Sequence, residues 1–177
     1  VAYLPKSAIT VIREKATDPN DKTYDGTMSA SGSVSLAGIL ATDDVSATGV
    51  FTFTDADTGI DITVNVTSIT LTGADSQNYT VNTSASSSAD IQKALLIATV
   101  GNYSKTYGQD NPLYSVSVTG FVNSETASTA SGYIAPTAYT TAALLSDVNS
   151  YTIFLTGGEA DNYSFDITDT GLLTINQ

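Results

Sequence analysis

Apolar and polar residues alternate with a period of two along many short stretches of this chain. Ile60, Ile62, Val64 and Val66 share one side of their segment, while Asp61, Thr63 and Asn65 lie opposite. Tyr114, Val116 and Val118 alternate in the same way with Ser and Thr. A strand with this pattern buries one face and wets the other. The pattern therefore predicts antiparallel sheets, each with one buried face.

Turn residues divide the alternating stretches into many short strands. In the first half strands are predicted at residues 8–13, 30–36, 46–53, 60–66, 68–72, 78–83 and 88–91. In the second half they are predicted at residues 94–100, 114–122, 132–138, 150–155, 162–167 and 172–176. A helical pattern over residues 140–145 is short and uncapped, so a strand end and a loop are predicted there. Many short strands with frequent turns favour a β-sandwich.

Two landmarks recur in the same order. Residues 71–80, Leu-Thr-Gly-Ala-Asp-Ser-Gln-Asn-Tyr-Thr, return 84 positions later as Leu-Thr-Gly-Gly-Glu-Ala-Asp-Asn-Tyr-Ser. Lys-Thr-Tyr at residues 22–24 returns 83 positions later at residues 105–107. A repeat of this length indicates two related modules, which we place at residues 1–92 and 93–177. No Gly-, Ser- or Pro-rich linker separates them, so a stiff arrangement of the modules end to end is expected.

Composition removes several classes of function. The 177 residues contain no Cys, no Trp and no His, so disulfides, thiolate metal sites and a Ser-His-Asp triad are excluded. The formal net charge of −12 argues against a nucleic-acid partner. No apolar stretch is long enough to cross a bilayer, so no direct membrane insertion of this fragment is expected. A start at Val1, without a Met, fits a piece of a longer chain.

The landmarks resemble two known families. Lys-Thr-Tyr-Asp-Gly-Thr at residues 22–27, with Gly-Ala-Asp at 73–75 and Asn-Tyr at 78–79, resembles the YDG domain over roughly residues 8–91. Lys-Thr-Tyr-Gly at residues 105–108, Asn-Pro-Leu at 111–113, Gly-Phe-Val-Asn-Ser-Glu at 120–125 and Asp-Asn-Tyr-Ser at 161–164 resemble the MBG domain, a mostly bacterial Ig-like module, over roughly residues 94–176. Ser124 stands where that family commonly has Gly, which is less comfortable in a turn with positive φ.

The resemblance implies a structural role outside the cell. Such modules occur as tandem repeats in long bacterial surface and secreted proteins, often adhesins, and are regarded as stalk or accessory units. No catalytic residues are assigned to them, so the chain is not expected to be an enzyme. Its expected partners are neighbouring modules of the same longer chain. Intramolecular isopeptide crosslinks stabilise some bacterial Ig-like stalks, and Lys15, Lys22, Lys93 and Lys105 are the donors that this chain would offer.

Four tyrosines at the repeated landmarks are predicted to be structural. Tyr79 and Tyr163 follow a Gly-containing turn and an Asn, which is the setting of a tyrosine corner, in which the hydroxyl ties a loop to the backbone. Tyr24 and Tyr107 stand where a strand enters a turn, and each is expected to close one end of its sandwich.

One loop has the composition of a calcium site. Asp55, Asp57 and Asp61 surround a Gly turn and could supply oxygen ligands, with Asp43 and Asp44 as additional candidates. The EF-hand pattern is incomplete, however, and a polar turn between two strands explains the same residues. Calcium therefore stays an alternative, and no other cofactor is expected.

We conclude from the sequence that the chain is all-β, with two tandem Ig-like antiparallel sandwich modules. The predicted function is a structural stalk segment of a bacterial cell-surface or secreted adhesin, which positions a binding region away from the cell. The alternative is a module that binds a glycan or a host surface protein, with Tyr103, Tyr133 and Tyr139 as the first candidates for contact. A carboxylate enzyme would need a pocket that holds two acids with perturbed pKa values.

Overall fold

The computed structural model describes residues 19–177, and almost all of its regular structure is β-strand. The chain divides into two compact units, Val1–Gln92 and Lys93–Gln177. The last strand of the first unit ends at Gln92 and the first strand of the second begins at Ala94. No helix in residues 19–177 has the length and apolar character needed to span a bilayer. The predicted strand at residues 8–13 and Lys15 lie outside the described residues.

The first unit contains a four-stranded sheet in the order β1-β4-β3-β2. Its elements are β1 (Lys22–Thr23), β2 (Ser46–Phe53), β3 (Gly59–Thr72), the 3₁₀ turn Ser76–Asn78 and β4 (Ser84–Gln92). β3 pairs antiparallel with β2 and with β4, whereas β1 pairs parallel with β4. The buried face carries Phe53, Val64, Val66, Ile69, Ala89 and Ile91. Ile60, which the alternating pattern placed on the same side, is instead 82% exposed, because the register of β3 against β4 shifts between Gly59 and Ile62.

Several strand predictions in the first unit were wrong in detail. The two strands predicted at residues 60–66 and 68–72 form the single strand β3, which continues through a bulge at Ser68 (φ 52°). There Ser68 and Ile69 face the single residue Gly49 of β2. Residues 30–36 form only an isolated bridge, between Gly32 and Pro19. The strand predicted at residues 78–83 does not form, because residues 76–78 make the 3₁₀ turn and β4 begins only at Ser84.

The second unit is a sandwich of two sheets. One sheet has the order β10-β5-β7 and the other β6-β11-β9-β8. The strands are β5 (Ala94–Val100), β6 (Tyr103–Thr106), β7 (Val116–Thr119), β8 (Thr137–Thr140), β9 (Ser150–Thr156), β10 (Tyr163–Asp166) and β11 (Thr170–Asn176). The core between the sheets contains Ala98, Val100, Ala142, Ile153, Leu155, Leu173 and Ile175. Residues 141–145 form a bend and a turn, as the sequence predicted.

The two four-stranded sheets have the same plan. β1, β4, β3 and β2 of the first unit occur in the same order as β6, β11, β9 and β8 of the second. In both, the first strand of that sheet along the chain, β1 or β6, pairs parallel with the last: Lys22 lies opposite Ile91, and Lys105 lies opposite Ile175. The sheets are therefore mixed rather than purely antiparallel, because β5 also pairs parallel with β10.

Candidate functional site

The hydroxyl of Tyr163 links two parts of the second unit. The buried ring stands at the start of β10, and its hydroxyl donates to the Glu125 carboxylate at 2.5 Å. The same oxygen accepts the backbone N–H of Val122 at 3.2 Å. Val122 and Glu125 are themselves the ends of a tight turn, since the Glu125 N–H donates to the Val122 carbonyl at 2.9 Å. This is a tyrosine corner whose loop is held by an acidic side chain as well as by backbone.

Tyr79 makes the same arrangement in the first unit. Its hydroxyl donates to the Asp43 carboxylate at 2.5 Å and accepts the Leu40 N–H at 3.3 Å. The Asp43 N–H closes the turn onto the Leu40 carbonyl at 2.9 Å. In both units, therefore, one tyrosine hydroxyl donates to an acidic side chain and accepts the backbone N–H of the residue three positions before that acid. Both rings are buried, as expected of a corner.

Burial raises the pKa of the Tyr163 hydroxyl above its ordinary value. The hydrogen bond to the Glu125 carboxylate raises it further, because a nearby negative charge disfavours the phenolate, whereas the Val122 N–H lowers it. The pKa of Tyr114 is also raised, first by burial and then by the neighbouring Tyr103. Both hydroxyls are therefore protonated at neutral pH, and Tyr163 can act as the donor to Glu125.

The repeated lysines each hold a loop next to the first strand of their four-stranded sheet. The Lys22 ammonium donates to the Asp25 carboxylate at 2.7 Å and to the carbonyls of Thr27 and Ser29. The Lys105 ammonium is buried and donates to the carbonyls of Gln109 and Ala143 at 3.0 and 2.8 Å. These contacts satisfy each ammonium with loop oxygens.

Tyr24 and Tyr107 have the same backbone role but different side-chain environments. The Tyr24 N–H donates to the Gln92 carbonyl at 2.8 Å, and the Tyr107 N–H donates to the Asn176 carbonyl at 2.9 Å. The Tyr24 ring is buried, whereas the Tyr107 ring is 50% exposed. The Tyr107 ring thus does not bury itself at the end of its sandwich, whereas the sequence predicted that it would close that end. Tyr107 contributes there through its backbone N–H.

Comparison with family models divides the chain in two. Residues 5–88 match the YDG domain, and residues 96–174 match the MBG domain (YGX type). The chain thus contains a YDG domain followed by an MBG domain. Such a pair suggests a β module of a surface or adhesin-like protein. Comparison with curated proteins and with solved structures finds no significant match.

The acidic loop of the YDG domain is held by local hydrogen bonds. Asp55 accepts the Asp57 N–H at 3.1 Å, which forms a turn between β2 and β3. Asp61 (φ 54°) accepts the Ser88 hydroxyl and donates its own N–H to Asp90 across the sheet. Within residues 19–177, no group of three acidic side chains is close enough to hold one cation. The structure thus does not bring the predicted calcium ligands together.

Asp43 and Asp44 have other partners. Asp43 receives the Tyr79 hydroxyl, and Asp44 accepts the Ala74 N–H at 3.2 Å. The Asp44 N–H donates in turn to Asp75 at 3.0 Å. These two acids therefore fasten the loop before β2 to the turn that leads to Tyr79.

The sequence indicated the corner tyrosines but missed their acidic partners. Asp43 precedes Tyr79 by 36 residues, and Glu125 precedes Tyr163 by 38. Glu125 stands within the Gly-Phe-Val-Asn-Ser-Glu landmark, of which it is the only charged member. That acid was the signal which could have identified the partner.

The three tyrosines proposed for ligand contact lie in different settings in the MBG domain. The Tyr103 hydroxyl accepts the Ser115 N–H at 2.7 Å, and its ring packs edge-on against Tyr114. Tyr133 packs against Phe121 and Phe165, with ring centroids 5.7 and 6.0 Å away. Tyr139 is 50% exposed on the outer face of its sheet. Of the three, Tyr139 has the most accessible ring.

The turn that carries Glu125 has an unfavourable backbone. Asn123 and Ser124 have φ of 50° and 60°, in the left-handed region that Gly and, less readily, Asn and Asp adopt, but Ser seldom does. We expect Ser124→Gly to stabilise the MBG domain by about 0.5–1 kcal/mol, because it removes left-handed strain while adding some chain entropy to the unfolded state. Urea denaturation measures the change. Ser104→Gly, in extended β6, is the control and should destabilise; equal losses in both variants would contradict the strain argument.

Proposed function

We propose that this YDG–MBG pair is a tension-resisting spacer of a bacterial cell-surface or secreted adhesin, which holds a binding region away from the cell. In this role the chain lies outside the cell and performs no catalytic step. Its partners are the neighbouring modules of the same longer chain. The observation that carries the proposal is the parallel pairing of the first and last strands along the chain in each four-stranded sheet.

In the MBG domain this pairing is four residues long. Tyr103 lies opposite Leu173, and Thr106 lies opposite Asn176. The Tyr107 N–H adds a hydrogen bond to the Asn176 carbonyl just beyond the last pair. β6 is the second strand of the domain, after β5, and β11 is its last strand.

Tension on a chain pulls the two ends of each domain apart. At the N-terminal end the force acts first on β5, which pairs parallel with β10, and it reaches β6 once β5 has been pulled away. Because β6 and β11 run parallel, the force then slides one along the other, across the direction of their hydrogen bonds. Those bonds then share the load, whereas a hairpin pulled open at one end loses its bonds one after another. The rate of unfolding under force depends on the barrier to this first rupture. A pair of parallel strands that is loaded in shear therefore suits a segment under tension.

The YDG domain repeats the arrangement on a smaller scale. Lys22 and Thr23 lie opposite Ile91 and Gln92, and the Tyr24 N–H extends the pair onto the Gln92 carbonyl. Because its parallel pair has two residues rather than four, this domain should yield at the lower force.

Pulling the whole chain between two handle domains tests the proposal. We expect two separate unfolding events in single-molecule force spectroscopy, each releasing chain on the order of 300 Å for about 85 residues. Tyr107→Pro removes the N–H that donates to Asn176 and should lower the force of the stronger event. Tyr107→Ala keeps the N–H and is the matched control. Unfolding without measurable resistance, or equal unfolding forces in both variants, would refute the role as a spacer under tension.

A further inference from the structure

The outer face of the four-stranded sheet in the MBG domain presents a pair of exposed aromatic rings. Tyr139 in β8 lies directly opposite Phe154 in β9. The ring centroids are 5.7 Å apart, and the ring planes are inclined by 33°. Tyr139 is 50% exposed and Phe154 is 39% exposed. Two neighbouring rings thus form one shallow, solvent-facing surface.

Small hydroxyl side chains surround the rings. We call the following residues the aromatic face: Thr137, Tyr139, Thr152, Phe154, Thr156, Thr170 and Leu172. Thr170 lies opposite Phe154 on β11, and Thr137 lies opposite Thr156 at the end of β8. The hydroxyls of Thr137, Thr156 and Thr170 have no hydrogen-bond partner within residues 19–177, so they are available to a ligand.

The aromatic face carries no formal charge. Of the residues in β6, β8, β9 and β11, only Lys105 is charged, and its side chain is buried on the inner side. This is unusual in a chain whose net charge is −12. A ligand for this face therefore needs neither a cation nor an anion, but apolar C–H surface for the rings and hydroxyl groups for the threonines.

We propose that the aromatic face binds a neutral oligosaccharide. A pyranose ring offers a face of C–H groups, whose partial positive charge suits the negative π-face of Tyr139 and Phe154. Its equatorial hydroxyls project sideways, where the threonine hydroxyls can donate to them and accept from them. This site is independent of the spacer role, because it uses the outer face of the sheet and not the parallel pair.

The dimensions of the face favour a sugar over a protein partner. Four strands about 4.8 Å apart and a longest strand of seven residues give an area of roughly 450 Å². A stable protein interface buries about 800 Å² on each partner. A chain of two or three sugar rings, in contrast, fits within this area.

The test is an NMR titration of the 177-residue chain with cellohexaose, xylohexaose and mannohexaose, each to about 10 mM. At least one sugar should shift amide signals of β8, β9 and β11. Tyr139→Ala should weaken that binding at least tenfold, and Tyr139→Phe should keep it within threefold, since the ring remains. Phe154→Ala, on a different strand, should also weaken it.

Tyr107→Ala is the matched control, because that ring is equally exposed but lies outside the aromatic face. It should leave the affinity unchanged. The amide spectrum of each variant shows whether it is folded. The proposal is overturned if no sugar shifts these signals, or if the shifts survive both Tyr139→Ala and Phe154→Ala. It is also overturned if the face signals change with protein concentration alone, which would mean that a second copy occupies the face.

Discussion

Tyr163→Phe should destabilise the MBG domain by about 2 kcal/mol, the amount typical of a hydrogen bond to a charged group. The substitution keeps the buried ring and removes only the hydroxyl. Without it, the Glu125 carboxylate loses its donor and the Val122 N–H loses its acceptor. For a domain of this size the melting temperature should fall by roughly 10 °C. Differential scanning calorimetry of the whole chain measures the shift.

Two further tyrosine variants make the result specific. Tyr79→Phe should cause a similar loss in the YDG domain, because Tyr79 contacts Asp43 and Leu40 in the same way. Tyr139→Phe, at an exposed ring whose hydroxyl contacts no described residue, should change stability by less than about 0.5 kcal/mol. If Tyr163→Phe changes stability as little as Tyr139→Phe does, the tyrosine corner contributes nothing to the stability of the MBG domain.

The corner also predicts a pH dependence. Because burial raises the pKa of Tyr163, the folded state favours the protonated hydroxyl. Its contribution is complete below about pH 10, the unfolded pKa, and is lost as pH rises through the folded value. The stability of Tyr163→Phe should therefore fall less at alkaline pH than that of the unmodified chain. Part of the fall should remain, because the pKa of Tyr114 is also raised.

Gly171→Ala should destabilise the MBG domain by about 3 kcal/mol, which is more than the loss expected for Tyr163→Phe. Gly171 lies in β11 opposite Ile153, and a β-carbon there would overlap the carbonyl oxygen of Gly101. Residues 101–102 are the crossing between the two sheets, from β5 to β6. The crossing is fixed to β11 by the Leu172 N–H, which donates to Asn102 at 2.8 Å. Neither backbone segment can move without breaking such bonds.

Gly101→Ala provides the matched control from the other side of the same contact. A β-carbon on Gly101 meets no atom within 4 Å, and its φ lies outside the left-handed region. Thermal unfolding should therefore show a fall in melting temperature of about 15 °C for Gly171→Ala and little change for Gly101→Ala. Equal effects of the two substitutions would show that the close approach at Gly171 is not the cause.

Strands built from an unbroken run of strand-favouring residues were predicted well, and irregular ones were not. β5 was predicted with its observed bounds because residues 94–100 form a short, mostly apolar run, although Leu95 and Ile97 lie on its exposed face. β3 was predicted as two strands, since Thr67 and Ser68 interrupt the apolar series. The strand continues only because Ser68 adopts a positive φ, and no sequence pattern marks a serine for that conformation.

Contacts between distant residues were the least visible in the sequence. The corner tyrosines were recognisable from a local landmark, but their acids lie 36 and 38 residues away. The parallel pairs were also missed, since alternation shows which face of a strand is buried but not the direction of its neighbour. The loop acids Asp55 and Asp57 matched a calcium pattern because a polar Asp-rich turn uses the same residues.

The edges of the sheets have a consequence for refolding in a long chain of such modules. Many similar strands at high local concentration favour misassembly by exchange between copies. The edge strand β8 has only four residues and directly follows Pro136, while the outer edge of β2 is already hydrogen-bonded to Met28 and Ala30. An incoming strand would find few regular hydrogen bonds at either place. Modules that are unfolded by force and then released should therefore refold independently, without long-lived strand exchange between copies.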